Sequence, residues 1–223
     1  MGFMKYGASD HYQSAKGRDY LAYQQMFAPG AILEARKFAA HIRRSDRVLD
    51  FGCGGGWVLR HLDCAERIGV ELNEAAHDFC RENGVQVYRQ IADVPVGELD
   101  VVISNHCLEH VPCPVEALRG LHSLLRGGGK LVLVVPLDDW RVQRDFTGRD
   151  IDHHLHTWTP RLLANTLSEA GFEIESVKVF SFAWPPGWPK LMKALPRFVF
   201  DTLCWLMAVV KKRRQLIAIA RKG

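Results

Sequence analysis

The stretch RVLDFGCGGG, residues 47–56, places a short apolar strand directly before a run of glycines. A strand that enters a glycine loop is typical of nucleotide-binding α/β folds, because glycine lets bare backbone press against a ligand. The dinucleotide pattern G-x-G-x-x-G, begun at Gly52, would need its third glycine at position 57, and that residue is Trp57. The spacing instead fits acid-x-G-x-G-x-G, from Asp50 to Gly56.

Apolar strands alternate with helical segments along the rest of the chain. We predict strands at 47–51, 67–72, 85–89, 99–104, 130–136, 172–180 and 215–220, and helices at 31–42, 57–62, 74–83, 114–125 and 159–170. The strands are too apolar for a sheet with one wet face, so both faces must be covered. The pattern predicts an α/β, Rossmann-like fold: a doubly wound, mostly parallel sheet of seven strands with helices on both faces.

The length of 223 residues, with 48% hydrophobic and 24% charged residues, fits a single domain over 1–223. Within it, residues 1–45 are expected to form a helical N-terminal cap, and residues 181–214 an apolar and basic insertion before the last strand. The polar start lacks the apolar core of a signal peptide, and no apolar run reaches the length of about 18 residues that indicates a membrane span. A cytoplasmic location is therefore expected.

Cysteine and charge patterns narrow the choice of partners. The six cysteines form no C-x-x-C pair, which argues against a zinc cluster or a disulfide framework. Residues 187–223 carry nine Lys or Arg against one Asp, although the net charge of the whole chain is only +4. A mildly acidic body with one basic end predicts no nucleic-acid surface and favours a local contact with something anionic.

Four sequence blocks, in order, resemble the class I S-adenosylmethionine-dependent methyltransferases, and more specifically the methyltransferase type 11 group. The blocks are the glycine loop, LDVVISNHCLEHV at 99–111, LLRGGGKLVLVVP at 124–136 and HTWTPRLLANTLSEAGF at 156–172. The resemblance covers roughly residues 48–172. It implies S-adenosylmethionine as the cofactor and methyl transfer as the reaction.

The resemblance also implies roles for individual residues. Glu71, at the end of the second strand, would accept both ribose hydroxyls of the cofactor. Asp50 would lie under the loop and bond either the loop amides or, through water, the cofactor's amino group. For the adenine amino group two candidates stay open, Asp93, which we assign, and Gln90. Further cofactor-binding candidates are Gly52, Cys53, Gly54, Gly56, Leu72 and Asn105.

Catalytic candidates should follow the fourth and fifth strands, where an acceptor would face the methyl group. Transfer to a hydroxyl requires alignment and a proton acceptor, and no nucleophilic side chain. His106 is the leading base because imidazole titrates near neutral pH. Asp139 and His154 are the other two catalytic candidates, whereas His110 is expected to be structural.

Asp and His residues crowd the segment 138–156. They could bind the acceptor, hold magnesium or another divalent ion for a sugar diol, or serve as capping and turn residues. We assign none of them as a metal ligand.

The apolar stretch 198–210 ends in four consecutive cations at 211–214 and is too short to cross a bilayer. Four alternatives stay open: a helix packed on the sheet, contact with a membrane surface through 184–214, a lid over the cleft, or a homodimer surface.

The sequence thus predicts S-adenosylmethionine-dependent transfer of a methyl group to a small-molecule, sugar-linked or lipid-linked acceptor, with oxygen as the favoured atom. One alternative is a non-catalytic cofactor-binding or scaffold protein. A nicotinamide-dependent oxidoreductase is a weaker alternative, because Trp57 occupies the position of the third glycine.

Overall fold

The computed structural model describes residues 12–137 and 153–223. Its strands form one seven-stranded sheet in the order β3-β2-β1-β4-β5-β7-β6. Strands β1 to β5 run parallel, and β7 runs antiparallel to both β5 and β6. This sheet confirms the predicted fold.

Six of the seven strands begin and end within two residues of the predicted boundaries, whereas the fifth begins at Leu125, five residues before its predicted start. The strands are β1 (Arg47–Phe51), β2 (Glu66–Val70), β3 (Gln86–Tyr88), β4 (Leu99–Asn105), β5 (Leu125–Pro136), β6 (Phe172–Ser181) and β7 (Arg214–Lys222). The helices are α1 (Ser14–Gln25), α2 (Ala31–Ala39), α3 (His77–Glu82), α4 (Pro114–Leu124), α5 (Pro160–Glu169), α6 (Trp188–Ala194) and α7 (Arg197–Val210).

Both faces of the central strands β1 and β4 are buried, as their apolar sequences predict, whereas the edge strand β6 is largely exposed. Successive side chains of a strand point to opposite faces. Leu49 of β1 accordingly joins the core cluster that contains the buried side chains of α4 and α5, whereas Val48 joins the cluster that contains Phe38 of α2. Each such fully buried aliphatic side chain contributes about 1.5–3 kcal/mol of transfer free energy.

No α-helix forms at 57–62, where the sequence predicts one. The structure has only a short 3-10 turn, Leu59–His61, between the glycine loop and β2. The physical reason is length: too few residues separate Gly56 from β2 to repay the cost of nucleating an α-helix. The helix expected at 31–42 also ends earlier, at Ala39.

Helix α1 rests on the end of β2 through a close backbone contact. The side-chain amide of Asn73 donates a hydrogen bond to the Gly17 carbonyl (2.7 Å), and Gly17 is itself buried. A Cβ atom at position 17 would lie 2.9 Å from Asn73 Oδ1, so the helix can approach this closely only with glycine there. The contact places Tyr12 and Tyr20 above the strand ends.

Helix α7 packs against the rest of the protein along one side. Phe200 and Cys204 form a buried cluster with Leu33 of α2. Among the described residues, no helix is both long enough and apolar enough to cross a membrane.

Candidate functional site

The cleft at the carboxyl ends of the parallel strands is built on the glycine loop. Gly52 follows β1 with φ +78°, a conformation that favours glycine. A Cβ atom on Gly52 would lie 2.6 Å from Cys107 Cβ, which covers the loop from the end of β4. Bare backbone therefore lines this part of the cleft, as the glycine pattern predicts.

Glu71 joins the glycine loop to the end of β2. Its Oε2 accepts a hydrogen bond from the Gly54 amide (2.8 Å), and its Oε1 accepts one from the Asn73 amide (2.8 Å). A carboxylate offers about four lone-pair directions, so two acceptor positions stay open on a side chain that lines the cleft. Burial raises the pKa of Glu71, although the two backbone hydrogen bonds act in the opposite direction.

Asp50 lies fully buried beneath the loop. Burial, with a smaller contribution from the charge of Glu71, raises the pKa of Asp50 to about 8. Its Oδ1 has no hydrogen-bond partner among the described residues. The amides of Gly52 and Cys53 donate to the Val70 carbonyl (2.8 and 3.2 Å), so the expectation that Asp50 accepts from these loop amides is wrong.

S-adenosylmethionine fits these features. The sulfonium and ammonium groups of this molecule are cationic, and two carboxyls lie at the loop, Asp50 buried beneath it and Glu71 half-buried beside it. An unpartnered oxygen on one of them, Asp50, leaves room for a further donor. The cleft lining also includes the apolar side chains of Leu72, Ile91 and Ala117, which suit a purine ring. Glu71 and Leu72 both line this cleft, and their contacts with the cofactor stay a prediction.

The two adenine candidates occupy different places. Gln90 lines the cleft, whereas Asp93 is exposed outside its lining. The Gln90 side-chain amide donates to Asp93 Oδ1 at 3.3 Å. The geometry therefore favours Gln90 over Asp93 for direct contact with the adenine. Asp93 would lie behind Gln90 and bond its side-chain amide.

Three other predicted cofactor residues shape the loop and do not line the cleft. Cys53 is buried, with its Sγ 3.7 Å from Cys80 Sγ. Gly54 contributes its amide to Glu71, and Gly56, at φ +74°, packs against Val85. Their part in binding is indirect, because they fix the path of the loop.

Asn105 points away from the cleft into a charged cluster. Its side-chain amide donates to Glu34 Oε2 (3.1 Å), and its Oδ1 accepts from Lys37 Nζ (3.4 Å). Lys37 also donates to Gln215 Oε1 (2.8 Å) and forms an ion pair with Glu34. The structure does not bring Asn105 to the predicted cofactor.

His106 stands at the edge of the cleft in an unusual backbone conformation. Its φ is +55°, while its amide donates to the Val134 carbonyl (2.9 Å). The hydrogen bond fixes the backbone at the sheet edge, and the left-handed turn directs the side chain into the cleft lining. Positive φ in a residue other than glycine costs free energy and is found preferentially at functional sites.

Glu109 is a residue that the sequence reasoning missed. It is completely buried, and neither of its carboxylate oxygens has a hydrogen-bond partner among the described residues. Its Oε1 lies 3.5 Å from His106 Nδ1 and 3.8 Å from His110 Nε2. The available signal was a charged residue within the otherwise apolar turn of the block at 99–111, because such residues are rarely buried without a purpose.

The N-terminal cap also contributes residues that the sequence reasoning did not select. Tyr12, Tyr20 and Gln24 line the cleft. The hydroxyl of Tyr12 lies 2.8 Å from His110 Nδ1. His110 therefore has a place in the cleft wall in addition to the structural role expected of it.

Of the remaining two catalytic candidates, the structure describes His154 but not Asp139. The His154 ring lies edge-on to that of His110, with centroids 4.9 Å apart. Asp139 lies outside the described residues. His156, by contrast, bonds the Val111 carbonyl through Nε2 (2.9 Å) and anchors the backbone beside the cleft.

Comparison with known proteins agrees with the geometry of the site. A family model described as a methyltransferase domain matches residues 23–177. The Ubiquinone biosynthesis O-methyltransferase of Methylococcus capsulatus is 39% identical over 95 residues, which are 37% of this chain and 40% of that protein. The chain thus matches about two fifths of the length of this curated relative.

Solved structures share the fold. An S-adenosylmethionine-dependent methyltransferase from Thermotoga maritima aligns with a TM-score of 0.65 at 19% identity, over 92% of this chain and 97% of that one. Another from Archaeoglobus fulgidus aligns with a TM-score of 0.62 at 23% identity, over 91% and 99%. Neither comparison supports the nicotinamide alternative. Since the family model spans more than half of the sequence and the sheet has the expected order, this chain belongs to the class I S-adenosylmethionine-dependent methyltransferases.

Proposed function

We propose that this protein, as one domain over 1–223, transfers a methyl group from S-adenosylmethionine to an oxygen atom of a small hydroxylated acceptor. The observation that carries the proposal is the position of His106. A potential proton acceptor lies at the strand ends, in the wall of the cleft that suits the methyl donor, with the buried Glu109 carboxylate 3.5 Å from its Nδ1.

When bound, S-adenosylmethionine supplies an electrophilic methyl group on a positively charged sulfur. Glu71 and Gln90 would bind its sugar and base, and the backbone at Gly52 would allow its close approach. The Glu71 carboxylate would offset its positive charge, whereas Asp50, whose pKa is raised to about 8, would accept a hydrogen bond through its unpartnered Oδ1. These residues would hold and orient the cofactor, and such positioning accounts for a large part of the rate enhancement in displacement reactions.

His106 would take the proton of the acceptor hydroxyl through Nε2 while its Nδ1 faces Glu109. The donor would supply the methyl group to the acceptor oxygen and its sulfur would keep the electron pair, while the His106 imidazole would hold the acceptor's proton. Glu109 would stabilise the resulting imidazolium, because an adjacent carboxylate favours the charged form. The proton then returns to solvent from the half-buried ring.

We infer an aromatic hydroxyl on a lipid-linked acceptor as the preferred substrate class. The cleft is largely apolar, and the rings of Tyr12, Tyr20 and Pro112 line it together with His106. The relative named above carries the name of an O-methyltransferase of ubiquinone biosynthesis, which supports the same class. A sugar-linked acceptor would require more polar side chains around the cleft.

The test uses S-adenosylmethionine with a labelled methyl group and the purified full chain. The acceptors are a catechol with an aliphatic tail, a tailless catechol, a sugar diol and a primary amine. We expect label on a catechol oxygen, with the tailed compound preferred. Transfer to the amine alone, or donor binding without transfer to any acceptor, would contradict the proposal and favour, respectively, N-methylation or the scaffold alternative.

We further propose that the surface of α7 contacts a membrane that contains anionic lipids. One side of the helix exposes an apolar stripe, formed by Phe198, Trp205, Leu206, Val209 and Val210. The exposed cations 211–214 follow this stripe directly, and Lys190 and Lys193 of α6 are also exposed. Apolar side chains with adjacent cations are the combination that binds the interface of an anionic bilayer.

Vesicle sedimentation tests this surface. Phosphatidylcholine vesicles with phosphatidylglycerol should retain the protein, and pure phosphatidylcholine vesicles should retain less. Binding to the anionic vesicles should fall in Trp205→Ser. It should also fall in a triple variant with Gln in place of Lys211, Lys212 and Arg213. Gln in place of Arg44, Arg81 and Arg126, which are exposed elsewhere, is the matched control. A dimer in analytical ultracentrifugation that Trp205→Ser dissociates would instead assign the stripe to a second copy of the chain.

A further inference from the structure

The wall of the cleft contains a buried carboxylate whose surroundings do not account for its charge. Glu109 has no exposed surface, and both its side-chain oxygens lack a hydrogen-bond partner among the described residues. Burying a carboxylate without hydrogen bonds or a cation is costly in free energy. Its Oε1 lies 3.5 Å from His106 Nδ1 and 3.8 Å from His110 Nε2, and both distances are too long for a good hydrogen bond.

Two of the surrounding side chains present atoms that coordinate metals. One ligand atom each from Glu109, His110 and His154 lies within 4.8 Å of the others, and both histidines are partly buried. Two imidazoles and one carboxylate form a donor set that suits Zn²⁺ with a coordination position left for solvent or substrate. Small side-chain rotations would bring these atoms to the zinc–ligand distances of about 2.0–2.2 Å.

The hydrogen-bond partners of His110 are compatible with the tautomer that a metal ligand requires. Its Nδ1 lies 2.8 Å from the Tyr12 hydroxyl and 3.4 Å from the His153 carbonyl. A proton on Nδ1 can be donated to either oxygen, and Nε2 then presents a lone pair toward Glu109. Metal-binding histidines commonly donate their second nitrogen to a carbonyl or similar acceptor in this way. A lone pair facing an unpartnered carboxylate is repulsive unless a cation lies between them.

We propose that Glu109, His110 and His154 bind a divalent transition-metal cation, with Zn²⁺ as the preferred ion, in the wall of the cleft beside His106. The two carboxylate oxygens have enough lone pairs for the cation and His106 to share Glu109. If the proposed function holds, the open coordination position would bind an oxygen of the hydroxylated acceptor and orient it toward His106. The cation site itself does not depend on that function.

Isothermal titration of the chelator-treated full chain with ZnCl₂ tests the site without any turnover. We expect one Zn²⁺ per chain, and a loss of affinity of more than about tenfold in Glu109→Gln and in His154→Ala. ZnCl₂ should also raise the unfolding temperature of the wild type and leave that of Glu109→Gln unchanged, because only the binding state is stabilised. MgCl₂ should bind more weakly, since imidazole ligands favour transition metals.

The matched control is His61→Ala, which removes an exposed histidine from the turn after the glycine loop and should leave Zn²⁺ affinity unchanged. Failure of the wild type to bind Zn²⁺, equal binding by Glu109→Gln, or an equal loss in His61→Ala would each overturn the proposal. Titration with S-adenosylmethionine separates the two hypotheses. If a variant loses Zn²⁺ binding but still binds S-adenosylmethionine, the cofactor part of the proposed function stands. If the wild type binds Zn²⁺ normally but does not bind S-adenosylmethionine, the proposed function is contradicted and the Zn²⁺ site is not.

Discussion

Glu71 accepts a hydrogen bond from the Gly54 amide at 2.8 Å and thereby ties the loop after β1 to the end of β2. Its other oxygen accepts from the Asn73 amide, also at 2.8 Å. One carboxylate therefore fixes the glycine loop, starts the turn before α3 and keeps acceptor positions open toward the cleft. A residue with these two tasks should affect both stability and cofactor binding.

Replacing Glu71 by Ala should weaken S-adenosylmethionine binding by more than about tenfold, because two backbone amides and the sugar hydroxyls lose a charged acceptor. The unfolding temperature should fall as well. Calorimetric titration and thermal unfolding measure the two effects. Glu74→Ala is the control, since Glu74 is exposed and its ion pair with Arg89 contributes little. Equal cofactor affinity in Glu71→Ala and Glu74→Ala would remove Glu71 from the binding site.

Asp50 should make the ligand-free protein less stable as pH rises. Its pKa of about 8 in the folded state lies above the ordinary value of 3.8, so the folded state holds a proton that the unfolded state has already released. The stabilising effect of the neutral carboxyl is complete below about pH 4 and is lost as pH rises toward about pH 8. Asn at this position cannot ionise and should lack that contribution.

Denaturant unfolding of wild type and Asp50→Asn at several values between about pH 5 and about pH 8 measures this difference. The free energy of unfolding of Asp50→Asn relative to wild type should increase across the range. If the two proteins instead show parallel curves, Asp50 is ionised throughout and its carboxylate has a partner that the described residues do not include.

His106→Asn separates proton transfer from backbone strain. Asparagine tolerates positive φ, so the variant should keep the turn at φ +55° while losing the imidazole. We expect turnover to fall by about 10²–10⁴-fold, the range attributed to general base catalysis. Cofactor affinity should stay within a small factor of the wild type, because the imidazole lies on the acceptor side of the cleft in the proposed mechanism.

The comparison variants for this prediction are His106→Ala and His61→Ala. The alanine at 106 adds backbone strain, so it should unfold at a lower temperature than His106→Asn. His61→Ala should resemble the wild type in turnover, because this histidine lies away from the cleft. Wild-type turnover in His106→Asn would mean that the acceptor proton leaves directly to water.

The sequence was sufficient to predict the sheet and to place Gly52, Glu71 and Leu72 at the strand ends where they line the cleft. Apolar strands and glycines carry local signals, and Arg47–Phe51 is a strand with the bounds expected from its residues. Gly52 and Glu71 follow strands directly, so their position at the strand ends could be inferred from the chain alone. The 3-10 turn at Leu59–His61 was missed because helical spacing says nothing about how much chain is left before β2.

The acceptor side depends on contacts that local patterns do not record. Tyr12 reaches His110 across 98 positions, and Asn105 is held by Glu34 across 71. Adjacent residues also diverge: Asn105 faces the charged cluster with Lys37, whereas His106 turns into the cleft because of its positive φ. The Glu109 backbone carbonyl accepts hydrogen bonds from the Leu155 and His156 amides, a distant segment that only the folded chain brings to it.

Gly52→Ala should destabilise the protein for two separable reasons. The new methyl group would lie 2.6 Å from Cys107 Cβ, and alanine is strained at φ +78°. We expect a loss of about 1–3 kcal/mol from the backbone conformation alone, plus a steric contribution. Adding Cys107→Gly removes the steric contact and leaves the strain, so the double variant should be more stable than the sum of the two single changes predicts. Unfolding of the wild type, both single variants and the double variant in denaturant gives the coupling energy, which should be about 0.5–3 kcal/mol if the contact matters and zero if Cys107 can move aside.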